Sequence, residues 1–470
     1  MFGSTFPLPD GTVYSKRKNY LPFSTPPLED YVTLVGPEKI ERLLDIGQRL
    51  KGVKITEINA TATGGGVAEM LYSSIPFVNA LGVETDWKII TGPKEYFECT
   101  KNLHNILQGM AMDITPDMVK TYCTTIDTYA DSSLIDPATD LVLIHDPQPA
   151  ALSHHLKKPG QTWVWRCHID IEEEVFEANP GLREFMRDWL EHYDAAVFTA
   201  AHYIITQWSF PKFIIPPFID PLSEKNRDLS PVEIDAVLAK YEIDRRVPIV
   251  AQVGRFDPWK GLDRTMAAYR IARKERKCQL VLAGGLAGDD PEGERILGRI
   301  HEEAGDDPDI HVLNLPLGDR LRNWKEVNAL QRAADVIMQP STREGFGLVI
   351  TEALWKGKPV IAADVGAIPF QIRDGDTGLF YRSAQEAAEA LVYLLDHPAA
   401  GQALGERGKQ YVREHFLMPD RVADWLMAVS MLIEGKMDKN TCGDCIVSFH
   451  PWFKLNKRKA FRAVDLAAPK

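Results

Sequence analysis

The sequence predicts an α/β protein built from two Rossmann-like domains, each with a parallel sheet. Short apolar runs alternate with longer helical segments through most of the 470 residues, which is the pattern of βαβ units. Several runs are apolar throughout, as expected for parallel strands that are buried on both faces. The pattern stops at a proline-rich stretch near the middle of the chain and then begins again. Together with the length, this restart predicts two domains.

The first half of the chain supplies one predicted sheet. A helix is expected from Pro37 to Leu50, and the segment 94–133 is mostly helical. We expect this N-terminal domain and its extension to occupy residues 1–220, followed by a linker that reaches Ser230. The predicted strands are Val53–Ile58, Glu84–Ile90, Leu141–Ile144, Thr162–Trp165, Ala195–Phe198 and Phe213–Ile215.

The second half supplies another predicted sheet, with a helix between successive strands. We expect this domain at residues 230–415, then a helix at 416–435 that crosses back to the first domain, and a tail at 436–470. The tail contains Cys442-Gly-Asp-Cys445, but one C-x-x-C is weak evidence for zinc or redox chemistry. The predicted strands are Pro248–Val253, Cys278–Ala283, Asp309–Leu313, Asp335–Gln339 and Pro359–Ala362.

Composition and charge exclude several classes of function. The net charge of -12 argues against nonspecific binding to nucleic acid and against a basic membrane-surface protein. Six cysteines in a chain this long do not make a disulfide framework, so we expect a reducing, cytoplasmic environment. The N-terminal segment lacks the pattern of a signal peptide, and no window has the apolar length of a membrane span.

The most informative stretch is Glu344-Gly-Phe-Gly-Leu-Val-Ile-Thr-Glu352. It follows a predicted strand, and its glycines precede a predicted helix at Leu348–Trp355. Unpaired N–H groups and the dipole make such a helix start an anion site. A carboxylate beside it would repel phosphate unless it faced a sugar hydroxyl. The stretch therefore predicts a nucleotide-sugar site, with amides for the diphosphate and two carboxylates for hydroxyls.

Other candidate residues follow the predicted strands of both domains. In open α/β sheets, ligands bind beyond the carboxyl ends of the strands. A glycine loop at 64–66 lets a ligand approach backbone amides closely, although a tight turn without a ligand is an equal alternative. Arg255 and Lys260 follow the first strand of the second domain and indicate a phosphate site. Polar groups at two strand ends of the first domain are His145, Asp146, Arg166, His168 and Asp170.

This ordered set of motifs resembles the retaining glycosyltransferases of family 4, which have the GT-B fold of two Rossmann-like domains that face an interdomain cleft. The spacing E-G-F-G-L-x-x-x-E is one of that family's most specific signatures, and the resemblance covers most of residues 50–435. Within the family, Thr63–Leu71, Ile144–Pro149 and Trp165–Asp170 are most similar to trehalose glycosyltransferring synthases and to the related retaining trehalose phosphorylases.

The resemblance implies a role for individual residues. Arg255 and Lys260 would neutralise the leaving nucleotide diphosphate. Glu344 would lie near the transferred glucose, Glu352 would bind the ribose hydroxyls, and His168 would contact the donor sugar. The resemblance also assigns donor binding to Gly65, Gly66, Gly345, Phe346, Gly347 and Leu348, and acceptor contacts to Asp146, His168 and Asp170.

The activity implied by the resemblance is the transfer of glucose from UDP-glucose or ADP-glucose to free glucose. The products would be α,α-trehalose and a nucleoside diphosphate, in a reversible reaction that retains the configuration of the donor. No metal site is indicated, because no D-x-D motif lies beside a strand in a suitable place, and arginine and lysine can replace a cation. No cofactor is therefore expected to be obligatory, although Mg²⁺ is compatible with the sequence, as is a homodimer.

Four alternatives stay open at this stage. A retaining trehalose phosphorylase would use phosphate and trehalose without a nucleotide, although Glu352 would then lack its ribose partner. A sucrose synthase-like enzyme of the same family is the second. A binding protein without turnover is disfavoured by the set of Arg255, Lys260 and Glu344. A nicotinamide dehydrogenase would require the G-x-G-x-x-G spacing, which the first glycine loop lacks.

Overall fold

The computed structural model describes residues 6–7, 13–14, 26–63, 65–130, 133–286, 292–315, 317–438, 442–443 and 445–450. The described chain divides into two compact units. The first contains the described residues of Met1–Pro7, Thr12–Pro217 and Met418–Lys470, and the second contains those of Phe218–Leu417. Each unit is built around a parallel sheet, so the predicted α/β fold class is confirmed. Gly64 and the basic segment of the C-terminal tail lie outside the described residues.

The first unit contains a short antiparallel ribbon and a larger parallel sheet. Up to residue 217 its strands are β1 Phe6–Pro7, β2 Val13–Tyr14, β3 Lys54–Asn59, β4 Glu84–Ile89, β5 Leu141–His145, β6 Thr162–Cys167, β7 Ala195–Phe198 and β8 Lys212–Ile214. Its helices in the same range are α1 Leu28–Val35, α2 Pro37–Arg49, α3 Gly66–Ala80, α4 Lys94–Leu107, α5 Pro116–Asp127, α6 Leu152–Leu156, α7 Glu173–Ala178 and α8 Pro180–Leu190.

The second unit contains a six-stranded parallel sheet in the order β11-β10-β9-β12-β13-β14. Its strands are β9 Ile249–Val253, β10 Gln279–Gly284, β11 Ile310–Asn314, β12 Val336–Gln339, β13 Val360–Ala363 and β14 Leu379–Tyr381. Its helices are α9 Pro231–Lys240, α10 Leu262–Ala272, α11 Gly293–Ala304, α12 Arg320–Ala333, α13 Leu348–Trp355, α14 Ala384–Asp396 and α15 Pro398–His415.

The chain after the second unit belongs to the first unit. It forms helix α16, Met418–Ile433, and strand β15, Ile446–Ser448. Strand β15 pairs in parallel with β8 and gives the sheet the order β15-β8-β7-β6-β5-β3-β4. The sequence-based expectation describes residues 436–470 as a tail and does not predict this strand. Cys442 and Cys445, for which the sequence indicates no use, are joined by a disulfide just before it.

Two further elements can be compared with the sequence-based expectations. The segment 94–133 is mostly helical, as expected, and contains two helices, α4 and α5, with a non-helical connection between them. Thr115 ends that connection, because its side chain accepts a hydrogen bond from the N–H of Met118 and so caps α5. Strand β14 is absent from the predicted set because three residues at the edge of a sheet carry too little pattern to detect.

Strand registers place the candidate residues within each unit. In the first unit, β5 lies between β3 and β6, with Glu57 opposite Leu143 and His145 opposite Arg166. The end of β5 is therefore flanked by side chains from both neighbours. In the second unit β12 lies beside β9, so the loops that follow these two strands leave the sheet at the same edge. Among the described residues, no helix is long and apolar enough to cross a membrane.

Candidate active site

The first cluster of candidate residues surrounds Glu344 in the second unit. Its carboxylate is buried, with 6% of the residue exposed. The Nζ of Lys260 lies 2.8 and 2.7 Å from the two carboxylate oxygens. Ser341 donates to Glu344 Oε2 at 2.9 Å, and Gln339 donates to the same oxygen at 3.3 Å. Lys260, Ser341 and Gln339 thus contact the carboxylate of Glu344, and we call these four residues the Glu344 cluster.

The backbone brings the two halves of this cluster together. Trp259 O accepts a hydrogen bond from the N–H of Thr342 at 2.8 Å, which joins the loop after β9 to the loop after β12. Gly261 adopts a φ of +62°, and a Cβ built there would lie 2.3 Å from Pro340 O. Only glycine fits this close approach of the two loops. The sequence therefore fixes Lys260 beside Glu344 through local backbone geometry as well as through charge.

Helix α13 begins where the sequence predicts. Gly347 precedes its first residue and has a φ of +88°, a left-handed conformation that favours glycine. A Cβ there would lie 3.1 Å from Glu344 Cγ. Gly347 therefore gives the helix its start and leaves room for the Glu344 side chain. Like any helix start, α13 begins with N–H groups that have no partner within the helix.

Glu352 lies on α13 with its own set of partners. The residue is 1% exposed, and Lys225 Nζ lies 2.9 Å from Oε1 while Gln331 donates to Oε2 at 3.2 Å. Burial raises the pKa of Glu352, but Lys225 and Lys356 outweigh it, so the pKa is lowered overall. The carboxylate is therefore charged and is held on α13 by partners from other segments. A bound ribose would share its oxygens with Lys225 or Gln331.

Arg255 is positioned by an acidic neighbour. Its Nη2 lies 3.6 Å from Asp257 Oδ2, and its side chain is one third exposed. Asp257 also accepts a hydrogen bond from the N–H of Trp259 at 2.9 Å. That bond starts a short 3₁₀ helix at Pro258–Lys260. Arg255 and Lys260 therefore leave the same short loop, and each has a carboxylate partner.

The second cluster lies at the ends of β5 and β6 in the first unit. His145 Nε2 lies 2.9 Å from Glu57 Oε2, and His145 Nδ1 lies 3.1 Å from His168 Nε2. Glu57 and His145 are buried, whereas His168 is half-buried. Burial lowers the pKa of both imidazoles, and Arg166 lowers them further. Glu57 raises the pKa of His145, but burial outweighs it, so both rings are neutral near pH 7.

Asp146 acts on this second cluster through the backbone. Its Oδ1 accepts a hydrogen bond from the N–H of His168 at 2.7 Å. Its own φ is +62°, a conformation in which Asp and Asn are more frequent than other residues with a Cβ. Burial raises the pKa of Asp146 to about 7 against the opposing effects of this hydrogen bond and of Arg166. Asp146 thus fixes the position of the loop that carries His168.

The structure places the remaining candidates as follows. Asp170 is buried in the first unit and accepts a hydrogen bond from Gln108. Gly65 precedes helix α3, with no atom within 4 Å of a Cβ built on it, and Gly66 is the first residue of that helix. The open space at Gly65 is compatible with a ligand near the start of α3. Among the described residues, no group of His, Cys, Asp or Glu side chains could hold a metal ion.

Sequence reasoning missed several residues that hold the candidates. Glu57 carried one signal, since a charged residue inside a strand of a parallel sheet is unusual because such strands are buried on both faces. Lys225 carried none, because a lysine in a polar linker is ordinary. Ser341 and Gln339 also lie beside the motif without a pattern of their own. Hydrogen bonds among separate strands and loops connect these residues to the candidates, and local sequence patterns do not encode such bonds.

The two parallel-sheet units and these clusters define the chain as a GT-B glycosyltransferase. A family model described as "Trehalose synthase, N-terminal domain" matches residues 57–205. A second model, "Glycosyl transferases group 1", matches residues 233–411. Solved structures with the same fold include a sucrose-phosphate synthase from Thermosynechococcus elongatus, with a TM-score of 0.63, 18% identity, and coverage of 82% of this chain and 100% of that one.

Curated relatives narrow the class further. A trehalose synthase from Pyrococcus horikoshii is 42% identical over 409 residues, which cover 86% of this chain and 96% of the relative. One from Rubrobacter xylanophilus is 38% identical, over 86% of this chain and 97% of the relative. A trehalose phosphorylase from Pleurotus pulmonarius is 28% identical, over 88% of this chain and 62% of the relative. The chain belongs to the trehalose synthase family and is a glycosyltransferase of trehalose metabolism.

Proposed function

We propose that the protein transfers glucose from a nucleotide diphosphate glucose, UDP-glucose or ADP-glucose, to free glucose and forms α,α-trehalose with retention of configuration. The observation that carries the proposal is the Glu344 cluster beside the start of α13. It combines a lysine, a buried carboxylate and the first amides of a helix, which have no partner within the helix. These are the groups that a sugar joined to a diphosphate requires.

The charges of the cluster suggest how the donor binds. Lys260 is neutralised by Glu344, with its Nζ 2.7 Å from Oε2. A diphosphate is a stronger partner for an ammonium group because it brings more negative charge into the same partly buried space. Ser341 and Gln339 keep their hydrogen bonds to Glu344 if Lys260 turns toward phosphate. Glu344 then stays in place to accept a hydrogen bond from a hydroxyl of the sugar.

The same groups suit the chemical step. Negative charge develops on the diphosphate as the bond to glucose breaks, and Lys260 and Arg255 would stabilise that charge. The departing phosphate can take the proton of the acceptor hydroxyl, so the reaction needs no pair of carboxylates of the glycosidase kind. The donor glucose is α-linked. Attack from the face that the diphosphate leaves gives an α-linked product.

One alternative has a specific observation in its favour. The trehalose phosphorylase from Pleurotus pulmonarius matches 88% of this chain, and phosphate could occupy the place of a diphosphate beside Lys260. We favour the nucleotide-dependent reaction because the relatives with 38–42% identity over nearly their full length carry the name trehalose synthase. A charged Glu352 on α13 also suits a ribose, which the phosphorylase reaction lacks.

The product decides between these reactions. Proton NMR of the first product formed from UDP-glucose or ADP-glucose and glucose should show an α,α-linked disaccharide together with free nucleoside diphosphate. A β-linked product would contradict the retaining reaction. If glucose 1-phosphate forms from trehalose and phosphate while the nucleotide sugars give no product, the protein is a phosphorylase.

A lysine substitution tests the role of the Glu344 cluster. Lys260→Ala should lower turnover by about 100-fold or more, which is typical when one donor to developing charge is lost. Lys240→Ala is a matched control, because Lys240 pairs with the buried Glu326 in the same unit but outside the cluster. The control should keep wild-type turnover. Wild-type turnover and donor affinity in Lys260→Ala would exclude Lys260 from the diphosphate site.

A further inference from the structure

Three side chains of the first unit form a continuous chain of hydrogen bonds. Glu57 Oε2 lies 2.9 Å from His145 Nε2, and His145 Nδ1 lies 3.1 Å from His168 Nε2. The residues come from β3, the end of β5 and the segment after β6, which are neighbours in the sheet. Glu57 and His145 are almost fully buried, with side chains 7% and 2% exposed. We call these three residues the Glu57 chain.

The protons of this chain can be assigned from chemistry. A carboxylate only accepts hydrogen bonds, whereas a neutral imidazole donates with one nitrogen and accepts with the other. Burial lowers the pKa of both histidines, and the positive charge of Arg166 lowers them further. Glu57 raises the pKa of His145 through its hydrogen bond and its charge, but burial outweighs it and the pKa is lowered overall, so both rings are neutral near pH 7. Burial lowers the pKa of Arg166, whereas the negative charges of Glu57 and Asp146 raise it and so oppose part of that effect. Glu57 Oε2 lies 2.9 Å from His145 Nε2 and is the acceptor of that hydrogen bond.

These conditions leave one arrangement of protons. His145 donates from Nε2 to Glu57, so its Nδ1 carries a lone pair. That lone pair accepts the hydrogen bond from His168 Nε2–H. His168 is neutral and carries its proton on Nε2, so its Nδ1 also carries a lone pair. Both hydrogen bonds therefore point toward the buried carboxylate: His168 donates to His145, and His145 donates to Glu57.

We propose that Glu57 and His145 are positioning residues that fix His168 in the tautomer with an unprotonated Nδ1. His168 can then accept a hydrogen bond from a sugar hydroxyl but cannot donate one. The contact with sugar rests on the proposed function, whereas the tautomer does not. The backbone N–H of His168 donates a hydrogen bond to Asp146 Oδ1 at 2.7 Å. The backbone and the ring of His168 are therefore both fixed.

The tautomer can be measured without substrate. Nitrogen-15 NMR of the histidine rings distinguishes a protonated nitrogen from one with a lone pair, and the signals of His168 are assigned by their loss in His168→Gln. In the wild-type protein near pH 7 we expect Nε2 protonated and Nδ1 unprotonated. The opposite tautomer, or a protonated ring, would overturn the inference even if the protein makes trehalose.

Two substitutions separate positioning from simple packing. His145→Gln can still donate to Glu57 and accept from His168, because an amide has both functions. His145→Leu can do neither. We expect His145→Gln to keep the tautomer and most of the turnover. We expect His145→Leu to lose the fixed tautomer and to lower kcat by about 10-fold to 100-fold, the range typical when a metal-bound histidine loses the partner that orients it.

The KM for the nucleotide sugar should change little in both variants, because the Glu344 cluster is untouched. Equal losses in His145→Gln and His145→Leu would show that the site needs only the imidazole shape, and would overturn the inference. Glu57→Gln offers a second test, because its amide can turn a donor toward His145 and reverse the tautomer. Asp127→Asn is the control, since Asp127 contacts His155 at 3.2 Å on the surface of the same unit. It should change neither the His168 signals nor kcat.

Failure of this inference is distinguishable from failure of the proposed function. The expected tautomer in a protein that makes no trehalose would contradict the proposed function and leave the hydrogen-bond chain established. Trehalose synthesis with wild-type kcat in Glu57→Gln would overturn the positioning role and leave the proposed function intact.

Discussion

Gly347 offers a quantitative test of how the backbone shapes the Glu344 cluster. In Gly347→Ala the new side chain must adopt a φ near +88°, and its Cβ must lie 3.1 Å from Cγ and 3.3 Å from Cδ of Glu344. The left-handed conformation costs a residue with a Cβ about 1–2 kcal/mol. The crowding forces Glu344 off its rotamer, which costs roughly 0.5–1.5 kcal/mol more. We therefore expect a total loss of stability of about 1.5–3.5 kcal/mol.

A second glycine separates the two contributions. Gly357 follows α13 with a φ of +70°, and no atom lies within 4 Å of a Cβ built on it. Gly357→Ala should therefore cost only the conformational part, about 1–2 kcal/mol, and should keep wild-type turnover. Because Glu344 moves relative to Lys260, Gly347→Ala should also lower turnover by about 10-fold or more.

Thermal unfolding and initial rates with nucleotide-glucose and glucose measure both effects on the same preparations. Equal losses of stability in the two alanine variants, together with wild-type turnover in Gly347→Ala, would refute the reasoning. That result would mean that Glu344 tolerates the added methyl group and that its exact position has no catalytic importance.

Two further predictions concern Asp146 and Glu352. Burial raises the pKa of Asp146 from 3.8 to about 7, so the carboxyl group holds its proton more tightly in the folded state than in the unfolded state. Ionisation of this carboxyl group therefore lowers the stability of the folded state as the pH rises from about 4 to about 7. Asp146→Asn should therefore stabilise the protein by at most about 4 kcal/mol near pH 8 and much less near pH 4; thermal unfolding at both pH values checks this, and a pH-independent difference would contradict it. Glu352→Gln should weaken binding of UDP or ADP by roughly 10-fold, the value of about 1.5 kcal/mol for a lost hydrogen bond to a charged group; equal affinities by calorimetry would remove Glu352 from the ribose.

The sequence predicted those elements best whose signal is local. Helix α13 is observed at Leu348–Trp355, as predicted, because glycines mark its start. Strand β5 agrees within one residue, because an apolar run between polar segments has few alternatives. Strand β15 was not predictable, since its three residues acquire their structure from a partner, β8, more than 200 positions earlier in the chain.

The candidate site divides in the same way. Glu344 and Lys260 were predicted from a motif and from a basic loop, and the structure brings them together as one ion pair. Two partners were not predicted. Ser341 donates a hydrogen bond to Glu344, and Lys225 forms an ion pair with Glu352. Ordinary polar residues become important only where folding buries a charge that needs them. Such residues cannot be identified before the buried charge and its neighbours are placed.

Charge balance in the second unit bears on which ligands it can bind tightly. Lys260, Lys225 and Arg255 each lie within ion-pair distance of a carboxylate. A neutral sugar offers these cations nothing better than their present partners, so it gains little by approaching them. A diphosphate brings more negative charge than a single carboxylate and can displace such a partner. If the proposed donor binds at the Glu344 cluster, this pairing would favour it over free glucose, although the net charge of the protein is -12.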